Sequence, residues 1–162
     1  MPVLPILQIR TGDPARSTAI LRTPAREVTD FSPALHSLVA DLQDTLHYHG
    51  AAGIAAPQAG IPLRLAVVEL ERGQALVLVN PRITAEGGAV SEAPEACLSL
   101  PGICCMVKRP EEIRVSFRDL EAAPETLDVP GTPARIIAHE VDHLEGILCT
   151  DRAIRVMPGR EP

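Results

Sequence analysis

Apolar residues at Leu35, Leu38, Val39, Leu42 and Leu46 recur with a helical period and predict one amphipathic helix. Ser32 stands at the N-cap position, Pro33 suits the first helical position, and Gly50 suits the end. Gly53-Ile54-Ala55-Ala56-Pro57-Gln58 follows neither period, so its small residues predict a loop or an irregular strand. Arg64–Leu70 and Ala75–Val79 are apolar runs that predict two strands, with a turn at Arg72-Gly73. Ile113, Val115 and Phe117 alternate with polar residues, the pattern of a half-exposed strand. Thr132-Pro133 repeats the helix-entry signal for a second helix from about Pro133 to Leu144, with Gly146 near its end. Strands come first and one helix comes late. This order predicts an α+β fold rather than a strict βαβ alternation.

A chain of 162 residues suggests one domain over 1–162, with 152–162 as a frayed tail. With 46% hydrophobic and 22% charged residues, the composition is that of a globular protein. The 16 prolines predict short, widely spaced elements. A net charge of -6 and 2% aromatic residues argue against direct nucleic-acid binding, which needs cations and stacking rings. No apolar run approaches the ~20 residues of a membrane span, so no membrane association is expected. Met1-Pro2-Val3-Leu4-Pro5 has neither the basic nor the apolar part of a signal peptide, so the expected location is the cytoplasm. Cys97, Cys104, Cys105 and Cys149 are then thiols or metal ligands rather than disulfides. The adjacent Cys104 and Cys105 are expected to be exposed or half-buried and open to oxidation.

The chemistry concentrates in His139-Glu140-Val141-Asp142-His143. Two histidines four apart on a helix point the same way and can share one metal ion. Glu140 can serve a metal-held water as general base. A catalytic site wants a third protein ligand. Downstream, Glu145, Cys149 and Asp151 are candidates, but none has the long spacing usual in metalloproteases. Upstream, Cys97 in Glu95-Ala96-Cys97-Leu98-Ser99 would complete a thiolate and two imidazoles, a set suited to iron(II), nickel or zinc.

Three segments in order, Ala51–Gln58, Glu95–Ser99 and His139–His143, resemble the G-x-G-x-A-A-x-Q, E-G-C-x-S and H-E-x-x-H motifs of peptide deformylases. The resemblance extends to Val79-Asn80-Pro81 and to the run from His143 to Asp151-Arg152, and so covers nearly the whole chain. It implies a peptide deformylase-like α+β fold, with mixed or antiparallel strands packed around the H-E-x-x-H helix. It implies a metal-dependent hydrolase that removes the N-formyl group from the N-terminal methionine of nascent chains and releases formate. Cys97, His139 and His143 would hold one divalent metal, iron(II) by preference, with nickel, cobalt or zinc able to substitute. Glu140 would act as base and then acid, while Gln58 and the Leu98 N–H would stabilise the oxyanion. Gly53, Ala52, Ala96, Glu95 and Ile136 would meet the substrate, with Ala93 and the stem of Arg135 nearby. Glu95 would also pair with Arg109 to brace the Cys97 loop. Asp142 would orient a ligand or a neighbouring group, and Ser99 would satisfy nearby backbone. The implied partner is an N-formylated peptide, with work close to the ribosome. Ala51 and Ala96 stand where the motifs have Gly, and Gly at such places serves close approach or positive φ. They motivate a second reading, action on another N-acyl peptide or metabolite. A third reading is a catalytically silent, metal-binding module that holds peptides.

Overall fold

The computed structural model describes residues 2–9, 11–71 and 73–159. Arg72 of the expected turn and residues 160–162 of the expected tail lie outside them. Helix α1 (Pro14–Leu21) precedes α2 (Pro33–His49). Then come β1 (Gly53–Ala55), a 3-10 turn over Ala56–Ala59, β2 (Leu65–Glu71), β3 (Gln74–Ala96), β4 (Ile103–Arg118) and β5 (Pro124–Pro130). Helix α3 (Gly131–Leu144), the short α4 (Cys149–Arg152) and β6 (Ala153–Pro158) complete the order.

All strand pairs in the sheet are antiparallel, in the order β1-β2-β3-β4-β5, with β6 also pairing β4. The alternation within β2 explains the layering. Leu65 and Val67 face the apolar stripe of α2, Leu35, Val39, Leu42 and Leu46. Val68 on β2 and Leu78 on β3 face α3 through Ala134, Ile137 and Val141. A strand buried on both faces reads as a continuous apolar run, which is why Arg64–Leu70 showed no alternation. Gly50 closes α2 at φ +59, as the sequence predicts. Ser32 holds the N-cap position without capping, because its hydroxyl and N–H both donate to Asp30.

Two expectations are corrected. The strands are not short: β3 has 23 residues and β4 has 16, despite Pro81, Pro94 and Pro110. Each proline sits where its missing N–H costs no ladder bond. Pro81 lies in the register shift between Val79 and Arg82. Pro94 lies beyond Val79, where β3 has β4 on one side only. Pro110 faces Val90 and falls in the gap between the β6 pairing, which stops at Val107, and the β5 pairing, which starts at Glu112. Nor does the tail fray at residue 152, since Ala153–Pro158 is a strand, with Cys105 opposite Val156 and Cys104 opposite Met157. The unpaired edge of β4 between residues 103 and 107 orders it.

Candidate active site

Helix α3 carries apolar residues on the face that meets the sheet, yet Glu140, Asp142 and His143 are also buried. Its other side is covered by the end of β3 and the turn after it. The helix end is fixed by Arg64, which donates to the Leu144 carbonyl at 3.4 Å and to Glu145 at 2.6 Å. A cation there satisfies the last carbonyls and the helix dipole.

The turn after β3 is closed by the Leu100 N–H donating to the Cys97 carbonyl at 2.9 Å. It places Cys97 Sγ 3.2 Å from His143 Nε2. One ligand atom each from Cys97, His139 and His143 lie within 4.8 Å of one another. The two rings meet edge to face, with centroids 4.9 Å apart. His139 Nδ1 is 2.9 Å from Glu95 Oε2, which fixes that ring and leaves Nε2 for a metal. His143 Nδ1 and Glu140 Oε2 are buried and meet no hydrogen-bond partner among the described residues. Burial opposes charge on Cys97, but the His143 charge and contacts with both imidazoles outweigh it and hold the thiol well below its ordinary range. Burial likewise opposes protonation of His139, but Cys97 and Glu95 hold it well above the usual imidazole range. A thiolate beside two imidazoles is a set in which one cation can take the place of protons, so a divalent metal fits. Burial pushes the Glu140 carboxyl up.

Three arginines bind the site's carboxylates together. Arg109 donates to both oxygens of Glu95 at 2.7 and 2.9 Å and to Asp142 at 2.8 Å. Arg135 donates to Glu95 at 2.9 Å and to the Val107 and Ser91 carbonyls, both at 2.9 Å. Arg152 on α4 donates to both oxygens of Asp142 at 2.9 and 2.7 Å. The expected Glu95–Arg109 pair is present, and Asp142 joins the same network. Arg135 is tied to this brace as well as reaching the cleft. Arg109 had a usable signal, because it continues the inward register of Cys105 and Val107 on β4. Arg152 had none.

A cleft of about 500 Å³ opens beside these groups. Gly53, Ala52, Ala96, Leu98 and Ile136 line it, with Gln58, Glu95, Cys97, His139 and Glu140 at its floor and wall. Ala93 pairs with Val107 and is off the cleft. The carboxylate of Glu95 is committed to Arg109, Arg135 and His139. Gln58 is fixed by the Ala55 N–H, which donates to Oε1 at 2.9 Å and turns Nε2 toward Ser99 Oγ at 3.4 Å and Cys97 Sγ at 3.6 Å. Ser99 therefore serves the Gln58 amide through its hydroxyl. Leu98 leaves its N–H without an acceptor among the described residues. Neither Ala51 nor Ala96 has positive φ. The expected demand for Gly conformation at those places is absent, and both methyls stand at the cleft wall.

Two imidazoles and an adjacent carboxylate on one helix, met by a thiolate from the turn after β3 at the floor of an open cleft, define a metal-dependent hydrolase. Residues 6–158 match the family profile of polypeptide deformylase. The peptide deformylase of Synechococcus sp. (strain CC9605) is 39% identical over 153 residues, covering 91% of this chain and 74% of that one. The crystal structure of the Thermotoga maritima peptide deformylase superposes with a TM-score of 0.87 at 30% identity, covering 96% of this chain and all of that one. The Synechococcus elongatus enzyme in complex with actinonin gives a TM-score of 0.87 at 35% identity, covering 96% of this chain and 81% of that one. The chain belongs to the polypeptide deformylase family.

Proposed function

We propose that this chain removes the N-formyl group from the N-terminal methionine of nascent polypeptides and releases formate. The observation that carries this reading is the Cys97, His139 and His143 cluster with Glu140 at the floor of a peptide-sized cleft. Cys97, His139 and His143 would hold one divalent ion. Iron(II) is our assignment, with nickel, cobalt or zinc able to take its place. Such an ion supplies Lewis acidity toward a carbonyl and makes water acidic near neutral pH.

The chain's own residues do the rest. Glu140 takes the proton of the attacking water at a carboxylate oxygen and returns it to the departing amine nitrogen. Burial raises its pKa, which suits a group that must act both as base and as acid. Gln58 Nε2 and the Leu98 N–H donate to the oxygen that gains charge. Both donors are fixed before reaction, one by the Ala55 contact and the other by the turn after β3. Glu95 holds His139 in one ring orientation, and Arg109 holds Glu95. Gly53, Ala52, Ala96 and Ile136 would face the peptide. On this reading the enzyme would work on growing chains in the cytoplasm, near the ribosome. No helix among the described residues is long and apolar enough to cross a membrane.

Formate release from a formyl-methionyl peptide by metal-loaded protein tests the reading. Glu140→Gln is expected to keep the metal and lose at least ~10²-fold in kcat. Negligible turnover by the metal-loaded wild type, or undiminished turnover by Glu140→Gln, would overturn it.

A further inference from the structure

Deformylation makes no use of Cys105 and Cys149, yet the fold brings them together. Cys105 points inward from β4 with 0% exposure, and Cys149 opens α4 with 3%. Their sulfurs are 3.2 Å apart, the Cys149 S–H donating to Cys105 Sγ. This is roughly 1 Å longer than the ~2.05 Å of a disulfide bond. Leu21, Leu100, Val107 and Leu148 surround the pair in the same apolar cluster as Cys97. All four cysteines are free. Burial pushes both thiols up, so the resting pair is a dithiol.

We propose that Cys105 and Cys149 form a redox modification site, which hydrogen peroxide converts to an intramolecular disulfide. The Cys105 sulfur attacks one peroxide oxygen. The O–O bond breaks, one water leaves with the thiol proton, and a sulfenic acid remains on Cys105. The Cys149 sulfur then attacks the Cys105 sulfur. The S–O bond breaks, and the second water leaves with the Cys149 proton. Two thiols give up two electrons and two protons, and one peroxide becomes two waters. Cys105 is assigned as the first to react because it accepts the Cys149 S–H, a contact that stabilises the thiolate formed as its proton leaves. The oxidant is water-sized, and the neighbouring strand is the six-residue β6, whose Val156 is opposite Cys105 and 54% exposed. The bond would tie α4 to β4 across a sequence separation of 44. The chain so enclosed carries Arg109, His139, Glu140 and His143.

The test uses metal-loaded protein carrying Cys104→Ser, because Cys104 is adjacent and half-buried. After peroxide, the sample is alkylated under denaturing conditions, digested without reduction and analysed by mass spectrometry. A linked peptide pair containing Cys105 and Cys149, two hydrogens lighter than the sum of its parts, is expected. It should be absent when Cys149→Ala or Cys105→Ala is added, with circular dichroism and metal content unchanged in at least one of these variants. Oxygen added to either sulfur without a link would overturn the proposal. So would a link through Cys97, or recovery of both thiols reduced while Cys97 is oxidised.

Discussion

At Gly53 a single missing atom decides what the site can hold. A Cβ there would lie 2.4 Å from Glu140 Oε1 and 2.8 Å from its carboxyl carbon. The requirement is space, since Gly53 is not among the residues with positive φ. Gly53→Ala is expected to displace the Glu140 carboxylate and lower kcat for formate release by about 10²-fold, the usual effect of a displacement near 1 Å in a reacting group. Steady-state kinetics with metal content held equal measures it. A kcat within threefold of wild type would show that Glu140 can move without loss. The motif pointed to Gly53 in the sequence, but the reason for glycine was invisible until α3 was seen packing Glu140 against β1. Ala51 and Ala96 gave the opposite result, because their backbone is ordinary and only their methyls matter.

At the scale of elements, α3 was legible because its two histidines, its glutamate and its apolar stripe all follow from one helical period. What holds α3 to its neighbours was legible only in the Glu95–Arg109 pair, not in its link to Asp142. Arg109, 5% exposed, joins β4 to Glu95 at the end of β3 and to Asp142 on α3. Arg109→Met keeps the bulk and removes the charge between two buried carboxylates. The expected loss is about 3–5 kcal/mol in urea unfolding. Weaker metal retention should accompany it, since Glu95 also orients His139. A loss under ~1 kcal/mol would mean that Arg135 and Arg152 suffice.

A weaker tie joins α1 to α4, where Asp151 accepts from Arg22 and from the Leu148 N–H. Burial works against the Asp151 charge, but these contacts outweigh it and lower its pKa. Its folded value therefore lies below the unfolded value of ~3.9. The contribution is whole above that pH and is lost as pH falls through the folded value. The side chain is 38% exposed, so Asp151→Asn is expected to cost at most about 1 kcal/mol at pH 7. The gap between variant and wild-type urea midpoints should close in acid. A gap that widened there would reverse the assignment.

Across the whole molecule, the candidate metal joins the turn after β3 to α3, and these come from chain segments more than 40 residues apart. Removal of the metal by a chelator is expected to abolish formate release and lower the melting temperature. Both should return as metal is added back, because a ligand bound only by the folded state stabilises it by mass action. Calorimetry and the formate assay on one sample check this, and an unchanged melting temperature would separate the metal from stability. At this scale the sequence misled most about strand length and the tail. Proline count alone says nothing about which strand edges are paired, and β6 has no strong pattern of its own. It is ordered by an edge of β4 that only the folded sheet supplies.

Local patterns were enough to specify the α+β class, the amphipathic α2, the strands β2 and β4 in part, and the late helix with its two histidines and glutamate. Each of these rests on a period or spacing within one stretch of chain. The meeting of Cys97 with those histidines rested on resemblance, and its distances came from the fold. Tertiary structure alone decided how Arg135 and Arg152 extend the Glu95–Arg109 pair into a clamp, the place of each proline, the Cys105–Cys149 contact and the space kept open at Gly53. Those depend on which distant segments become neighbours, and burial of a charge or the absence of a methyl has an energetic meaning only once the neighbour is in place.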